Sequence, residues 1–197
     1  NSIGYMKANM QGDKIALAIH REYIVELFDF NNYTGEVSNC ITSNANLTDV
    51  YGVEFSPDGT KLYITQTAGG GLKQFDLNSP NPMSNPVQIS NVSQASGLQI
   101  APNGNIYLAV PFSYYLGEIR DPNLPGISCD FLAQSLYLDG KQCKRGLPSI
   151  FHNEHFQFIT GSNAVASICD GDSIMLGGLY QIDPGIYIDV LTSTQWI

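Results

Sequence analysis

Ser56-Pro57-Asp58-Gly59-Thr60-Lys61-Leu62-Tyr63-Ile64-Thr65 occurs in this chain in three variants. The first is Asn9-Met10-Gln11-Gly12-Asp13-Lys14-Ile15-Ala16-Leu17-Ala18, displaced by 47 residues (Lys14 to Lys61). The third is Ala101-Pro102-Asn103-Gly104-Asn105-Ile106-Tyr107-Leu108-Ala109, displaced by 44 (Lys61 to Asn105). The register continues downstream. Phe28-Asp29-Phe30 falls on Phe75-Asp76-Leu77, again 47 apart, and Ile119 falls on Phe75 at 44. A whole unit is therefore repeated, not a turn motif alone.

Within one unit, apolar residues alternate with period two, as a half-buried strand requires: Tyr51–Phe55, then Lys61–Thr65. Between them Pro57 presets φ, Asp58 can cap its own backbone, and Gly59 supplies φ > 0. Gly69-Gly70-Gly71 opens a third strand over 72–76, and a loop from Pro80 to Pro86 precedes a short outer strand over 87–90. Four antiparallel strands in a unit of this length make one propeller blade. No segment reads as an amphipathic helix of three turns. The fold expected is all-β: a partial β-propeller over 1–165, with three four-stranded blades starting near Gly4, Tyr51 and Ser96 and a fourth beginning at Gly146. Leu17, Phe28, Phe55, Ile64, Phe75, Ile100 and Leu108 are its expected core. A closed propeller has about four to eight blades, so the chain reads as part of a longer polypeptide with further blades before Asn1.

Composition narrows the function. The net charge is −9 and charged residues are 14% of the chain, which argues against nucleic acid and anionic lipid as partners. There is no apolar run of about 18 residues, hence no expected transmembrane helix. Asn1-Ser2-Ile3-Gly4 has neither an initiator Met nor a signal-peptide pattern and reads as an internal or processed start.

The wording of the repeats resembles a known family. Ile3–Ala8, Val25–Phe30, Tyr51–Tyr63, Leu98–Tyr107 and Arg145-Gly146-Leu147-Pro148 resemble the last blades of a propeller in large secreted Bacteroidota proteins. Such proteins are exported by the type IX system and often carry gliding-motility-associated C-terminal sorting domains. Their propellers are joined to immunoglobulin-like or PKD-like modules. A second resemblance covers 166–197: Ile168–Gly178, Tyr180-Gln181 and Gly185–Leu191 are similar to the start of the cysteine-opening β-sandwich repeats that follow such propellers. In those repeats the first Cys, here Cys169, pairs with a later one beyond Ile197. This segment is expected to be the start of a truncated β-sandwich.

Cys129 and Cys143 bracket the loop after the third blade, and a bridge closing about 15 residues is worth roughly 3 kcal/mol in the chain-entropy model. A Cys129–Cys143 disulfide is the expectation, with Cys40 as a rival partner and two reduced, buried thiols as the alternative. No C-x-x-C pair is present, so a zinc site is not expected. His20, beside Arg21 and Glu22, reads as a solvated turn. His152 and His155 flank Glu154 at i, i+3 without helical support, and Asp170-Gly171-Asp172-Ser173 lacks the downstream Glu of a calcium loop. No nucleophile elbow or phosphate loop occurs. Asn32, Asn46 and Asn91 match the N-glycan acceptor pattern, and Ser173 matches the Bacteroidota O-glycosylation acceptor.

One polar set repeats. Lys7, Glu54 and Gln99 occupy equivalent positions on the first strand of successive blades and would line the central channel. They either bind a ligand or metal, as in the lactonase-like propellers the family distantly resembles, or satisfy one another. The expected role is a non-catalytic display, adhesion or structural module of a secreted or cell-surface protein, without cofactor or metal. Its expected partners are a protein or glycan ligand, or neighbouring subunits. The alternatives are a lactonase- or lyase-like enzyme using a channel-bound divalent metal, and a subunit of a filament or surface assembly.

Overall fold

The computed structural model describes residues 3–148, 174–176 and 179–181. It divides into two compact units, Asn1–Gln157 and Phe158–Ile197. Of the second, an antiparallel hairpin is described, and the expectations on His152, His155, Cys169, Asp170, Asp172 and Ser173 fall outside the described residues.

Among its described residues the first unit is all-β, broken by two short 3-10 turns, His20–Glu22 and Gly126–Cys129. Its twelve described strands form three antiparallel meanders. The first holds β1 (Met6–Ala8), β2 (Lys14–Ile19), β3 (Ile24–Asn31) and β4 (Glu36–Thr42). The second holds β5 (Val50–Phe55), β6 (Lys61–Gln66), β7 (Gly71–Asp76) and β8 (Val87–Ser90). The third holds β9 (Leu98–Ile100), β10 (Ile106–Leu108), β11 (Tyr115–Ile119) and β12 (Phe131–Tyr137). The hairpin of the second unit is β13 (Ile174–Leu176) with β14 (Leu179–Gln181). Among the described residues no helix is long and apolar enough to cross a membrane.

Strand pairing obeys the sequence offsets. Ile15 pairs Phe28, Leu62 pairs Phe75, and Ile106 pairs Ile119. Met6 pairs Leu17 as Val53 pairs Ile64. The first turns also match: Gly12, Gly59 and Gly104 all have φ between +70° and +81°, and each donates its N–H to the carbonyl three residues back. That left-handed conformation suits glycine because it has no Cβ. In the first two sheets a Lys–Asp pair ties strands two and three, Lys14 to Asp29 and Lys61 to Asp76 (3.1 Å). The third copy has Asn105 and Arg120 at those places, and its turn is one residue shorter.

Alternation gives every sheet two faces, which we call front and rear. Ala16, Ala18, Val25 and Leu27, on the front of the first sheet, share a cluster with Val53, Phe55, Leu62, Ile64 and Phe75 on the rear of the second. Tyr63 and Leu72, on the front of the second, join Leu98, Ile100, Ile106, Leu108 and Ile119 on the rear of the third. Five of the seven expected core residues are buried, whereas Leu17 and Phe28 are only half-buried. These two lie on the rear of the first sheet, against which no other described sheet packs, and that decides their exposure.

The sheets are also joined by backbone. Tyr5 N–H donates to the Tyr51 carbonyl (2.9 Å), and Gly97 N–H donates to the Arg145 carbonyl (2.8 Å). Between the second and third sheets Thr65 Oγ1 relays the link, accepting from Gly52 N–H (2.8 Å) and donating to the Ser96 carbonyl (2.6 Å). Gly52 is needed for this approach, because a Cβ there would lie 2.4 Å from the Ser96 oxygen. Tyr51, Ser96 and Arg145 thus hold one acceptor position, the last of them in the segment that follows the third sheet.

The expected Cys129–Cys143 disulfide is not formed: Cys40, Cys129 and Cys143 are free thiols. Cys129 ends a 3-10 turn that buries it in the cluster between the second and third sheets. Cys143 packs with Ala109 and Leu116 on the front of the third sheet, its Sγ donating to the Lys144 carbonyl (3.1 Å). Each thiol is held by its own cluster, and burial pushes both pKa values up.

Candidate functional site

Lys7, Glu54 and Gln99 pair with Ala16, Tyr63 and Tyr107, the same position on the second strand of each sheet. The three first strands run side by side, and the side chains meet. Lys7 Nζ lies 3.2 Å from Glu54 Oε2 and donates to Gln99 Oε1 at 2.5 Å, so the ammonium of the first sheet reaches both others. Gln99 Nε2 donates to the Ile100 carbonyl (3.0 Å).

Glu54 has little contact with water, its side chain being 4% exposed. Two backbone donors hold it: Phe55 N–H on Oε1 and Ile100 N–H on Oε2, both at 3.1 Å. Burial pushes its carboxyl above the usual range, opposed by the Lys7 charge and these hydrogen bonds. A buried carboxylate without such partners would be strongly unfavourable. The arrangement is therefore self-completing: one ammonium, one carboxylate and one amide, linked across three sheets.

Tyr5 closes the cluster on one side. Its ring lies 5.9 Å from Lys7 Nζ and meets Tyr51 edge-on at 5.5 Å between centroids. Burial raises the pKa of its hydroxyl. It also stands 3.0 Å from where a Cβ on Gly97 or Gly146 would lie. A single phenol thus spans from the first sheet to the segment after the third. Sequence reading did not single out Tyr5, although its place two residues before Lys7 puts it on the same side of the strand.

His20 is more engaged than a solvated turn implies. Nδ1 lies 3.0 Å from the Val50 carbonyl, Nε2 is 3.5 Å from Asp49 Oδ1, and the Tyr51 ring stands edge-on to it. A second polar contact joins the second and third sheets. Tyr63 Oη donates to the Pro122 carbonyl (2.8 Å), Gln74 Nε2 donates to the Leu124 carbonyl (2.8 Å), and Gly126 N–H donates to Gln74 Oε1 (2.8 Å).

Among the described residues no three His, Cys, Asp or Glu side chains gather closely enough to hold a metal ion. Two open surface grooves, of about 400 and 390 Å³, lie elsewhere: one beside Phe112 and Tyr114, the other beside Pro57 and Arg120. Asn32, Asn46 and Asn91 are all exposed.

No protein-family model matches the chain, and no curated protein sequence does. Solved structures match it in fold. An auxiliary nutrient binding protein from Bacteroides ovatus is 16% identical over 71% of this chain and 32% of its own, with a TM-score of 0.53. A functionally unknown protein from Desulfotomaculum acetoxidans is 14% identical over 68% of this chain and 41% of its own, with a TM-score of 0.51. A candidate 6-phosphogluconolactonase from Bacteroides uniformis is 20% identical over 58% and 37%, with a TM-score of 0.45. The chain spans between 32% and 41% of the length of these structures. The likeness is one of fold, β-rich and propeller-like.

Proposed function

We propose that this chain is a run of β-propeller blades, three complete and a fourth beginning at Gly146, that serves as a non-catalytic display, adhesion or structural module. The host is a secreted or cell-surface Bacteroidota protein of the type IX, gliding-motility-associated kind. Its partner is a protein or glycan at the surface, or a neighbouring subunit. The observation that carries this reading is the Lys7–Glu54–Gln99 cluster, whose polar groups are spent on one another. A site that binds an ion or polarises a substrate needs groups aimed at the ligand, with capacity to spare.

The enzyme reading draws on one feature, the buried carboxyl of Glu54 with its raised pKa, because such groups are frequent in active sites. Metal analysis of the native protein separates the two. We expect no stoichiometric divalent metal and no change in metal content with Glu54→Gln. Near-stoichiometric calcium or magnesium, lost in that variant, overturns the display reading.

A further inference from the structure

We infer that the rear face of the β1–β4 sheet is a docking surface, and that its occupant is the front face of one more four-stranded sheet of the same repeat, supplied by the protein's own polypeptide. The inference rests on the propeller reading and names the face, the occupant and the residues that meet.

The same interface is made twice within the chain. The rear of the second sheet is buried by the front of the first, and the rear of the third by the front of the second. On the first sheet, Met6, Ile15, Leu17 and Phe28 stand where Val53, Leu62, Ile64 and Phe75 stand on the second. The four residues of the second sheet are 0% exposed, whereas Met6 is 65% exposed and the other three are half-buried. An apolar face built to one pattern and covered in both other copies calls for the same cover.

Details of the two formed interfaces specify the occupant. Phe55 and Phe75 on a rear face share their cluster with small front-face residues, Ala16 and Ala18. Ile100 and Ile119, in the corresponding rear positions, share theirs with Tyr63. Volume is thus exchanged between facing sheets, as close packing requires. Ala8 stands where Phe55 and Ile100 stand, so the covering sheet must supply the missing bulk there, as Tyr63 does in the third sheet's interface. Its first strand would also donate a backbone N–H to Gly4, which holds the place of the acceptor residues Tyr51, Ser96 and Arg145.

Two methionines make the test direct. Met83 is 2% exposed inside the cluster between the first and second sheets and serves as a buried reference for Met6. Peroxide converts accessible methionine to the sulfoxide, and peptide mapping reads each site. In the 197-residue chain alone, Met6 should oxidise at least about tenfold faster than Met83, following accessibility. In the protein as purified from its source, Met6 should slow to the rate of Met83, and Leu17→Asp should restore the fast rate. Rapid oxidation of Met6 in the unaltered source protein overturns the inference. So does protection of Met6 in the isolated chain through a dimer that Leu17→Asp dissociates, which assigns the face to a second copy. The first comparison needs no substitution, so it decides the matter even where the variant fails to fold. The outcome is also independent of metal content at Glu54.

Discussion

Replacing Lys7 with methionine keeps the length and much of the volume of the side chain while removing the charge beside Glu54. Cutting one partner from a buried ion pair costs about 3–5 kcal/mol, because the other is left as an uncompensated charge. Here the side chains are 14% and 4% exposed, and Glu54 retains the N–H groups of Phe55 and Ile100. The lower end applies, about 3 kcal/mol at neutral pH. For a chain of this size that lowers Tm by about 6–12 °C. The sign with pH follows from Glu54. Burial raises its folded pKa above the unfolded value, so the folded state holds that proton more tightly. The stability this contributes is present at low pH and is lost as pH rises through the folded pKa. Loss of Lys7 raises that pKa further, so the deficit of Lys7→Met should shrink on acidification from about pH 7.5 to about pH 5. Urea unfolding followed by circular dichroism at both pH values measures this. A double-mutant cycle with Glu54→Gln should return a coupling of about 2 kcal/mol. A cost below about 0.5 kcal/mol at neutral pH, the level of a surface substitution, refutes the claim that the three groups satisfy one another. A deficit that grows in acid refutes the account of Glu54.

Phe75→Ala should cost about 3–5 kcal/mol, a large part of the stability of a domain of this kind. In the 197-residue chain, Phe28→Ala, at the equivalent but half-buried position, should cost about 1 kcal/mol; equal losses in chemical denaturation of that chain would show that the two faces do not differ. Iodoacetamide should label Cys40 in the native protein and reach Cys129 and Cys143 only after unfolding, since both are buried thiols. A Cys129–Cys143 cross-linked peptide from protein purified without reductant would refute the separate burial of the two sulfurs.

Strands and turns were legible because their causes are local. Pro57-Asp58-Gly59 marks a turn by its own chemistry, and period-two alternation marks the strands on either side. The bounds read for the outer strand, 87–90, are those found for Val87–Ser90. Repeat offsets carried further, putting Lys7, Glu54 and Gln99 on one strand position before any contact between them could be known. What alternation cannot supply is the identity of the neighbour. Leu17 and Ile64 are equivalent in sequence, yet one is half-buried and the other fully buried, because only the second has a sheet in front of it. The disulfide expectation failed for a related reason: a loop length says that two ends can meet, not which cluster claims each side chain. The links between sheets join residues far apart in the chain, as with Lys7 and Gln99, 92 positions apart. Nothing local in Tyr5, Tyr63 or Gln74 marks them as reaching across.

The two formed interfaces also divide the work between backbone and side chains. Side-chain filling varies freely, with phenylalanine against alanine in one interface and isoleucine against tyrosine in the other. The carbonyl of Tyr51, Ser96 or Arg145 is the acceptor in all three links, even where a Thr65 hydroxyl must relay it. This ordering has a physical basis. Apolar contact is non-directional and tolerates exchange of volume between partners, whereas a hydrogen bond weakens steeply when its distance or angle slips. The backbone links therefore set the spacing of the first strands, and that spacing lets a lysine in the first sheet bridge a glutamate in the second and a glutamine in the third. A substitution that changes side-chain volume should be absorbed within one interface. Adding a Cβ at Gly52, 2.4 Å from the Ser96 oxygen, would push two first strands apart and disturb the polar cluster between them.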